Sequence, residues 1–214
     1  GRPWLRLKAA ATLDGKTVLN NGVSQWITGP DARRDGHAWR ARACAILTGI
    51  GTVRDDDPSL TVRDVATTRQ PLRVVVDSRL EISPTARILQ GEPVLIVGAV
   101  ENAEKMALLR STGHFVEILN NGADKVDLKA LLDMLAQRGI NEVHAEAGFK
   151  LNGSLLREGL VDELLLYLAP CLIGHDASGL FNLPELTTLD GKKPLKIRDL
   201  RQLGEDIRLI ARFP

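Results

Sequence analysis

Apolar positions along the chain fall into short runs separated by segments of helical spacing, the pattern of strands alternating with helices. Trp4 to Ala11 reads as a strand with Leu5 and Leu7 on one face, stopped at the turn dipeptide Asp14-Gly15. After a polar loop through Asn20-Asn21-Gly22, Thr28 as N-cap and Pro30 in the first turn open a helix reaching Ala43. Ala32, Gly36, Trp39 and Ala43 form one stripe of that helix, and Arg33, His37 and Arg40 form the opposite one. Cys44 to Thr48 is a strand, followed by a glycine turn at Gly49-Ile50-Gly51-Thr52, a short helix, and an acidic turn at Asp55 to Asp57. Leu72 to Val76, Val94 to Val97, Phe115 to Leu119 and Glu142 to Ala145 are further strands. Leu128, Leu131, Leu132 and Leu135 mark a helix, and the uniformly apolar Leu164 to Ala169 predicts a strand buried on both faces. Leu195 to Leu203 and Ile207 to Phe213, joined by Gly204-Glu205-Asp206, predict a terminal antiparallel hairpin.

This order predicts an α/β fold: a mostly parallel central sheet flanked by helices, with a C-terminal antiparallel hairpin on one side. No repeat or linker interrupts residues 1–214, so a single domain is expected. With 44% hydrophobic and 26% charged residues the composition is that of an ordinary globular protein. Lys plus Arg (28) nearly balances Asp plus Glu (27), and the net charge of +1 offers no broad footprint for nucleic acid or an anionic membrane. No run is long enough to span a bilayer, and two distant cysteines, Cys44 and Cys171, form no disulfide framework, so a cytoplasmic protein is expected. The abrupt start, almost inside a strand, suggests an excised domain of a longer protein.

Two familiar motifs fail. Asp14-Gly15-Lys16-Thr17 lacks the glycine that a phosphate-binding P-loop needs five positions before Gly15, where Ala10 stands. Gly49-x-Gly51 has Arg54 where the dinucleotide fingerprint needs a third glycine. His37, His114, His144 and His175 have no metal-ligand spacing, so solvated or core histidines and no bound metal are expected. Three stretches remain. The segment from Glu146 to Ser154, between a strand and a helix, could offer glycine amides to a phosphate. Ser24-Gln25-Trp26-Ile27-Thr28 precedes the helix that carries Arg40, and Thr52 to Arg63 contains Asp56, Pro58, Leu60 and Arg63. The guanidinium forks of Arg40 and Arg63 suit a phosphate, although spacing alone does not bring them together.

Taken in order, several segments closely resemble the reductase half of the bifunctional riboflavin-biosynthesis deaminase/reductase family. They are Leu7-Lys8-Ala9-Ala10-Ala11-Thr12-Leu13-Asp14-Gly15-Lys16, the Ser24 to Thr28 segment, Gly51-Thr52-Val53, Asp56 to Arg63, Glu146-Ala147-Gly148 and Gly159 to Glu163. The resemblance implies a dihydrofolate-reductase-like fold, a homodimer, and NADPH-dependent reduction of 5-amino-6-(5-phosphoribosylamino)uracil to its ribityl form. The family's N-terminal zinc deaminase domain carries a pair of motifs, H-x-E with P-C-x-x-C, and that pair does not occur here. The likeness is to the reductase alone.

By position, the resemblance assigns Ala10, Trp26, Thr52, Asp56, Ser78 and the stretch Gly148, Phe149, Lys150, Leu151, Asn152, Gly153, Ser154 to NADPH. It assigns Ser24, Arg40, Leu60, Arg63 and Glu146 to the substrate, with Lys8 close by. Lys8 and Glu146 are the candidates for managing the proton, with the choice between them open. Read by themselves, Trp26 is a candidate core residue, Ser78 a turn residue and Lys8 a solvated strand residue. Asp77 disfavours a cofactor 2′-phosphate and Arg79 favours it. A bulky residue at Gly153 is expected to weaken NADPH binding and spare folding. Two alternatives stand: a reductase of the same fold acting on the undeaminated diaminopyrimidine, and a non-catalytic nucleotide-binding module.

Overall fold

The first strand and the last lie one strand apart in the same sheet, so both ends of the chain build a common framework. The computed structural model describes residues 1–214 except Ser24. In chain order the elements are β1 (Trp4–Thr12), β2 (Lys16–Val18), α1 (Pro30–Arg42), β3 (Ala45–Gly49), α2 (Ile50–Asp56), β4 (Leu72–Val76), β5 (Val94–Gly98) and α3 (Ala103–Ser111). They continue with β6 (Phe115–Ile118), α4 (Leu128–Gln137), β7 (Glu142–Glu146), α5 (Phe149–Arg157), β8 (Glu163–Ala169), β9 (Ser178–Gly179), β10 (Lys196–Leu203) and β11 (Asp206–Arg212). Nine strands form one sheet in the order β10-β11-β8-β1-β7-β3-β4-β5-β6, and β2 pairs with β9 apart from it. From β8 to β6 every pairing is parallel, and β11 and β10 continue antiparallel beyond β8. The expected parallel sheet with a terminal hairpin is therefore present.

Strand alternation divides the core between two faces. Leu5, Leu7, Val143, Ala145, Ala45, Leu47, Val74 and Leu95 line one face, covered by the leucines of α4 and by Leu155 and Leu156 of α5. The opposite face is split. Ile46, Val75, Ile96 and Val116 pack with Val53 of α2 and Leu109 of α3 on one side, while Leu165, Tyr167 and Ile210 pack with Ala32 of α1 on the other. Between these two clusters, on the same face, β1 and β7 carry Lys8 and Glu146 in direct register.

Three local expectations change. Helix α1 begins at Pro30 with Gly29 as N-cap, two residues after Thr28. The physical reason is tertiary: Asp206, in the tip of the hairpin, accepts the Gly29 N–H at 2.7 Å, and the Thr28 carbonyl is taken by the Arg33 guanidinium at 2.6 Å. Second, Gly49-Ile50-Gly51-Thr52 is not a glycine turn; α2 starts at Ile50 directly off β3. A Cβ at Gly49 would sit 3.2 Å from Leu151 Cδ2, so this glycine serves the close packing of α5 over the end of β3.

Third, Gly148 to Ser154 is not a loop. Gly148 is the N-cap of α5, and residues from Phe149 onward are helical. Asn152 N–H already donates to the Gly148 carbonyl at 3.1 Å, and a Cβ at Gly153 would fall 2.2 Å from the Asn182 carbonyl oxygen. Asn152, Gly153 and Ser154 thus have no backbone amide to offer a phosphate. The apolar moment of α5 had to be satisfied by burying Leu155 and Leu156, and that winds the preceding residues into the helix.

Candidate active site

Parallel register sets Lys8 on β1 beside Glu146 at the end of β7, their side chains on one face with Nζ and Oε2 3.6 Å apart. Arg40, from the last turn of α1, reaches the same carboxylate with two prongs, Nε to Oε1 and Nη2 to Oε2, the latter at 3.0 Å. A third nitrogen, Nη1, donates to the Thr61 carbonyl at 3.2 Å. These contacts tie α1, β7 and the segment after α2 to one point at the carboxyl edge of the parallel strands, where open α/β sheets form ligand crevices.

The electrostatics assign a charge state. Burial pushes the Glu146 carboxyl up, but Arg40, then Lys8, the Arg40 hydrogen bond and His144 together hold it well below the usual carboxylate range. Glu146 is therefore an anion at neutral pH and a poor proton donor. Tyr167, on β8, lies under the Lys8 ammonium, 5.8 Å from ring centroid to Nζ. Burial, and next its hydrogen bond to Asp35 at 2.6 Å, push the Tyr167 phenol far up, so it, unlike Glu146, keeps its proton. Asp35 also accepts from Arg208 at 2.8 Å, and Arg208 donates to Asp199 at 2.7 Å, which anchors α1 to the hairpin strands.

Leu60 and Arg63 follow on the segment that Arg40 grips at Thr61. Leu60 is buried in the second core cluster with φ of 50°, a left-handed backbone that is uncommon for leucine and is held here by packing on both sides. Arg63 is exposed, and among the described residues its guanidinium makes only long contacts, 3.4 Å to Thr61 Oγ1 and 3.5 Å to Ser59 Oγ. The two arginines that spacing could not connect thus converge on one segment, in different states: Arg40 is spent largely on Glu146, and Arg63 is extended toward solvent.

A second group forms at the neighbouring strand ends. Thr52 of α2 and Gly148 meet, since a Cβ at Gly148 would lie 3.5 Å from Thr52 Oγ1. The first amides of α5, on Phe149, Lys150 and Leu151, have no acceptor within the helix, so this terminus suits an anionic group. Asn152 Nδ2 caps the Ala147 carbonyl at 2.9 Å, while its buried Oδ1 has no partner among the described residues. The donor set fits a diphosphate. Ala10 lies on β1, two residues beyond Lys8 along the same face, and Ser78 follows β4, where its carbonyl accepts the Ala99 and Val100 amides.

Other predicted residues stand apart. Trp26 is 70% exposed, not core, and stacks on Arg33 at 4.9 Å. It borders a cleft of about 510 Å³ shared with Gly29, Cys171 and Asp206 but with none of Lys8, Arg40, Thr52 or Glu146. The half-buried, mutually paired charges mark the Lys8 cluster as the stronger site. Asp56 is exposed at the end of α2, and Ser24 lies outside the described residues. Asp77 is fully buried, and its carboxylate caps the following turn through the Ile82 N–H at 2.8 Å, so it does not face a ligand and leaves Arg79 unopposed.

Two histidines escaped sequence reading as site residues. His144 is fully buried, with Nε2 3.4 Å from Glu146 Oε1, and burial holds it neutral. His37 is buried at the Arg40 end of α1. Strand period 2 from Glu146 and helical spacing from Arg40 were the available signals. His144-Ala145-Glu146 does spell H-x-E, but among the described residues no group of three His, Cys, Asp or Glu side chains is placed to hold a metal. Among them, too, no helix is long and apolar enough to cross a membrane.

The RibD C-terminal domain profile matches residues 3–209. The riboflavin biosynthesis protein RibD of Escherichia coli is 40% identical over 98% of this chain and 59% of its own length. The 2,5-diamino-6-ribosylamino-4(3H)-pyrimidinone 5′-phosphate reductase of Methanothermobacter thermautotrophicus is 38% identical over 96% of both chains. The structure of Acinetobacter baumannii RibD superposes with a TM-score of 0.89 at 37% identity, over all of this chain and 58% of that one. The chain thus spans about three-fifths of the RibD proteins it matches. At the level of fold alone, Schistosoma mansoni dihydrofolate reductase, 14% identical, superposes along its full length and that of this chain with a TM-score of 0.54, so the sheet is dihydrofolate-reductase-like. With a matched profile across nearly every element and the half-buried Lys8-Glu146-Arg40 cluster inside it, the chain belongs to the RibD C-terminal domain family.

Proposed function

We propose that this chain is the NADPH-dependent reductase of riboflavin biosynthesis that converts 5-amino-6-(5-phosphoribosylamino)uracil to 5-amino-6-(5-phosphoribitylamino)uracil. The observation that carries the reading is the ionised Glu146 held between Lys8 and Arg40 beside the exposed Arg63. A ribosylamine opens to an imine, whose sugar C1 accepts hydride while its nitrogen accepts a proton. The dinucleotide, when bound, supplies the hydride. Lys8 delivers the proton, because Glu146 has none to give. Glu146 orients the Lys8 ammonium and accepts from a ribose hydroxyl, and Arg63 takes the sugar phosphate. The amides of Phe149, Lys150 and Leu151 and the Thr52 hydroxyl hold the cofactor diphosphate. Exposed Arg79, with Asp77 turned away, favours NADPH over NADH. Both cysteines are free thiols, in keeping with a cytoplasmic enzyme. The exposed apolar edge of β10, with Ile197 and Leu200, supports a homodimer.

The test is spectrophotometric: NADPH oxidation dependent on the phosphoribosylaminouracil, with NADH slower. Binding of NADPH without oxidation would instead indicate a nucleotide-binding module. The likeness to the Methanothermobacter thermautotrophicus enzyme, nearly end to end, favours a second reading, reduction before deamination. Faster turnover of the undeaminated diaminopyrimidine would select it.

A further inference from the structure

His37 sits on α1 one turn before Arg40, only 7% exposed, with both ring nitrogens engaged by the segment that follows α2. The Arg63 backbone N–H donates to Nδ1 at 3.3 Å, and Nε2 lies 3.3 Å from Asp64 Oδ2. With Arg40 Nη1 on the Thr61 carbonyl at 3.2 Å, α1 grips this segment at two points, on either side of Val62. Among the described residues the Arg63 side chain has no comparably close partner to fix it. Its direction is therefore set by its backbone, which Gln70 holds at Val62 and His37 holds at Arg63 itself.

We propose that His37 is a positioning residue of the substrate site: its imidazole holds the Arg63 backbone against α1, presenting the Arg63 guanidinium to the substrate phosphate beside Arg40. The inference rests on the reading of Arg63 as a phosphate ligand. It fixes a tautomer, since Nδ1 must keep its lone pair for the Arg63 amide and the proton must sit on Nε2, facing Asp64. A second proton would set an N–H against the Arg63 N–H and release the segment. The charged groups facing the ring are Arg40 on its own helix, Asp64 and Arg63 on the segment, and Glu146 on β7. Burial, and then Arg40, hold the imidazole below its ordinary value, keeping the accepting form at neutral pH.

The experiment compares wild type with His37→Leu, His37→Asn and Arg63→Ala, reading kcat, KM for the phosphorylated substrate, NADPH affinity and thermal midpoint from pH 5 to 7.5. Asparagine keeps an acceptor at the δ1 position and does not titrate. His37→Leu is expected to raise KM up to about 10-fold, the loss of one hydrogen bond, with kcat and NADPH affinity within about 2-fold. His37→Asn should recover KM to within about 3-fold of wild type. As pH falls below about 6, wild-type KM should rise more steeply than that of His37→Asn, the substrate phosphate titrating equally in both. If Arg63→Ala raises KM and His37→Leu does not, the inference is overturned while the phosphate reading stands. An inert Arg63→Ala removes the phosphate reading itself, which is a separate result. Should His37→Leu fail to fold, coincident pH profiles for His37→Asn and wild type still overturn the proposal.

Discussion

Glu146 carries its charge because two cations compensate it, and that division of labour makes the four charged residues distinguishable by mutation. Lys8→Met removes the proposed proton donor, so kcat should fall on the order of 10²-fold or more with KM little changed, measured by steady-state NADPH oxidation. Glu146→Gln should also lower kcat, by freeing Lys8 and Arg40 from their anchor. The two arginines should not behave alike. Arg63→Ala should raise KM roughly 10- to 100-fold, the loss of a charged hydrogen bond at a protein that still folds normally. Arg40→Ala leaves a largely buried carboxylate with only Lys8 beside it, so it should also cost stability, about 1–3 kcal/mol in urea unfolding. Equal stability of the two arginine variants would contradict the roles assigned here.

At the scale of elements, α5 shows how one helix combines packing and binding. Its N-terminal amides open toward Thr52, whereas Gly153, one turn further on, lies against the Asn182 backbone, and Asn182 N–H donates to the Phe149 carbonyl at 3.1 Å. Gly153→Ala should therefore destabilise the fold by about 1–3 kcal/mol through overpacking, despite alanine's better helix propensity. Gly148→Val tests the other end. A branched side chain over the free amides should weaken NADPH binding at least 10-fold, with no more than about 1 kcal/mol lost from the N-cap. Thermal melts with and without NADPH separate the two effects. If Gly153→Ala melts normally but binds NADPH poorly, the mid-helix glycine belongs to the cofactor site after all.

For the whole molecule, pH is the informative variable. His37, His114 and His144 are all buried and held below the ordinary imidazole value of 6.5, burial being the first cause in each. The unfolded chain takes up protons at these residues before the folded chain does. Stability is therefore complete above about pH 6.5 and declines as pH falls below it, by at most ~1.4 kcal/mol per pH unit for each histidine. Glu146, whose folded value is depressed, adds a further loss only below about pH 4.5. Unfolding midpoints should fall between pH 7 and 5, before carboxylates titrate, and a flat profile there would show the histidines to be unburied in solution. Light scattering across a dilution series tests the β10 edge: a dimer is expected, and a monomer at every concentration would leave Ile197 and Leu200 unexplained.

The elements themselves were legible in the sequence because each strand and helix follows from local period and punctuation. The Leu128 helix, the uniformly apolar run before Pro170 and the Gly204-Glu205-Asp206 hairpin need no distant partner to be recognised. The family was legible too, since its motifs are contiguous. What local pattern could not decide was anything fixed by a contact across the chain. Thr28 loses the N-cap to Gly29 because Asp206, 177 positions away, satisfies that amide. The charged stripe of α1 reads as a solvent face, yet the segment holding Leu60 and Arg63 folds over it, burying His37 and half-burying Arg40. Gly153 reads as part of a phosphate loop and is instead a packing glycine, because Asn182 comes to lie against it. The sequence determined which charged side chains are proposed to bear the chemistry. Only the parallel register of β1 and β7, and the helix that crosses them, decided that a lysine and an arginine share one carboxylate and thereby set its charge.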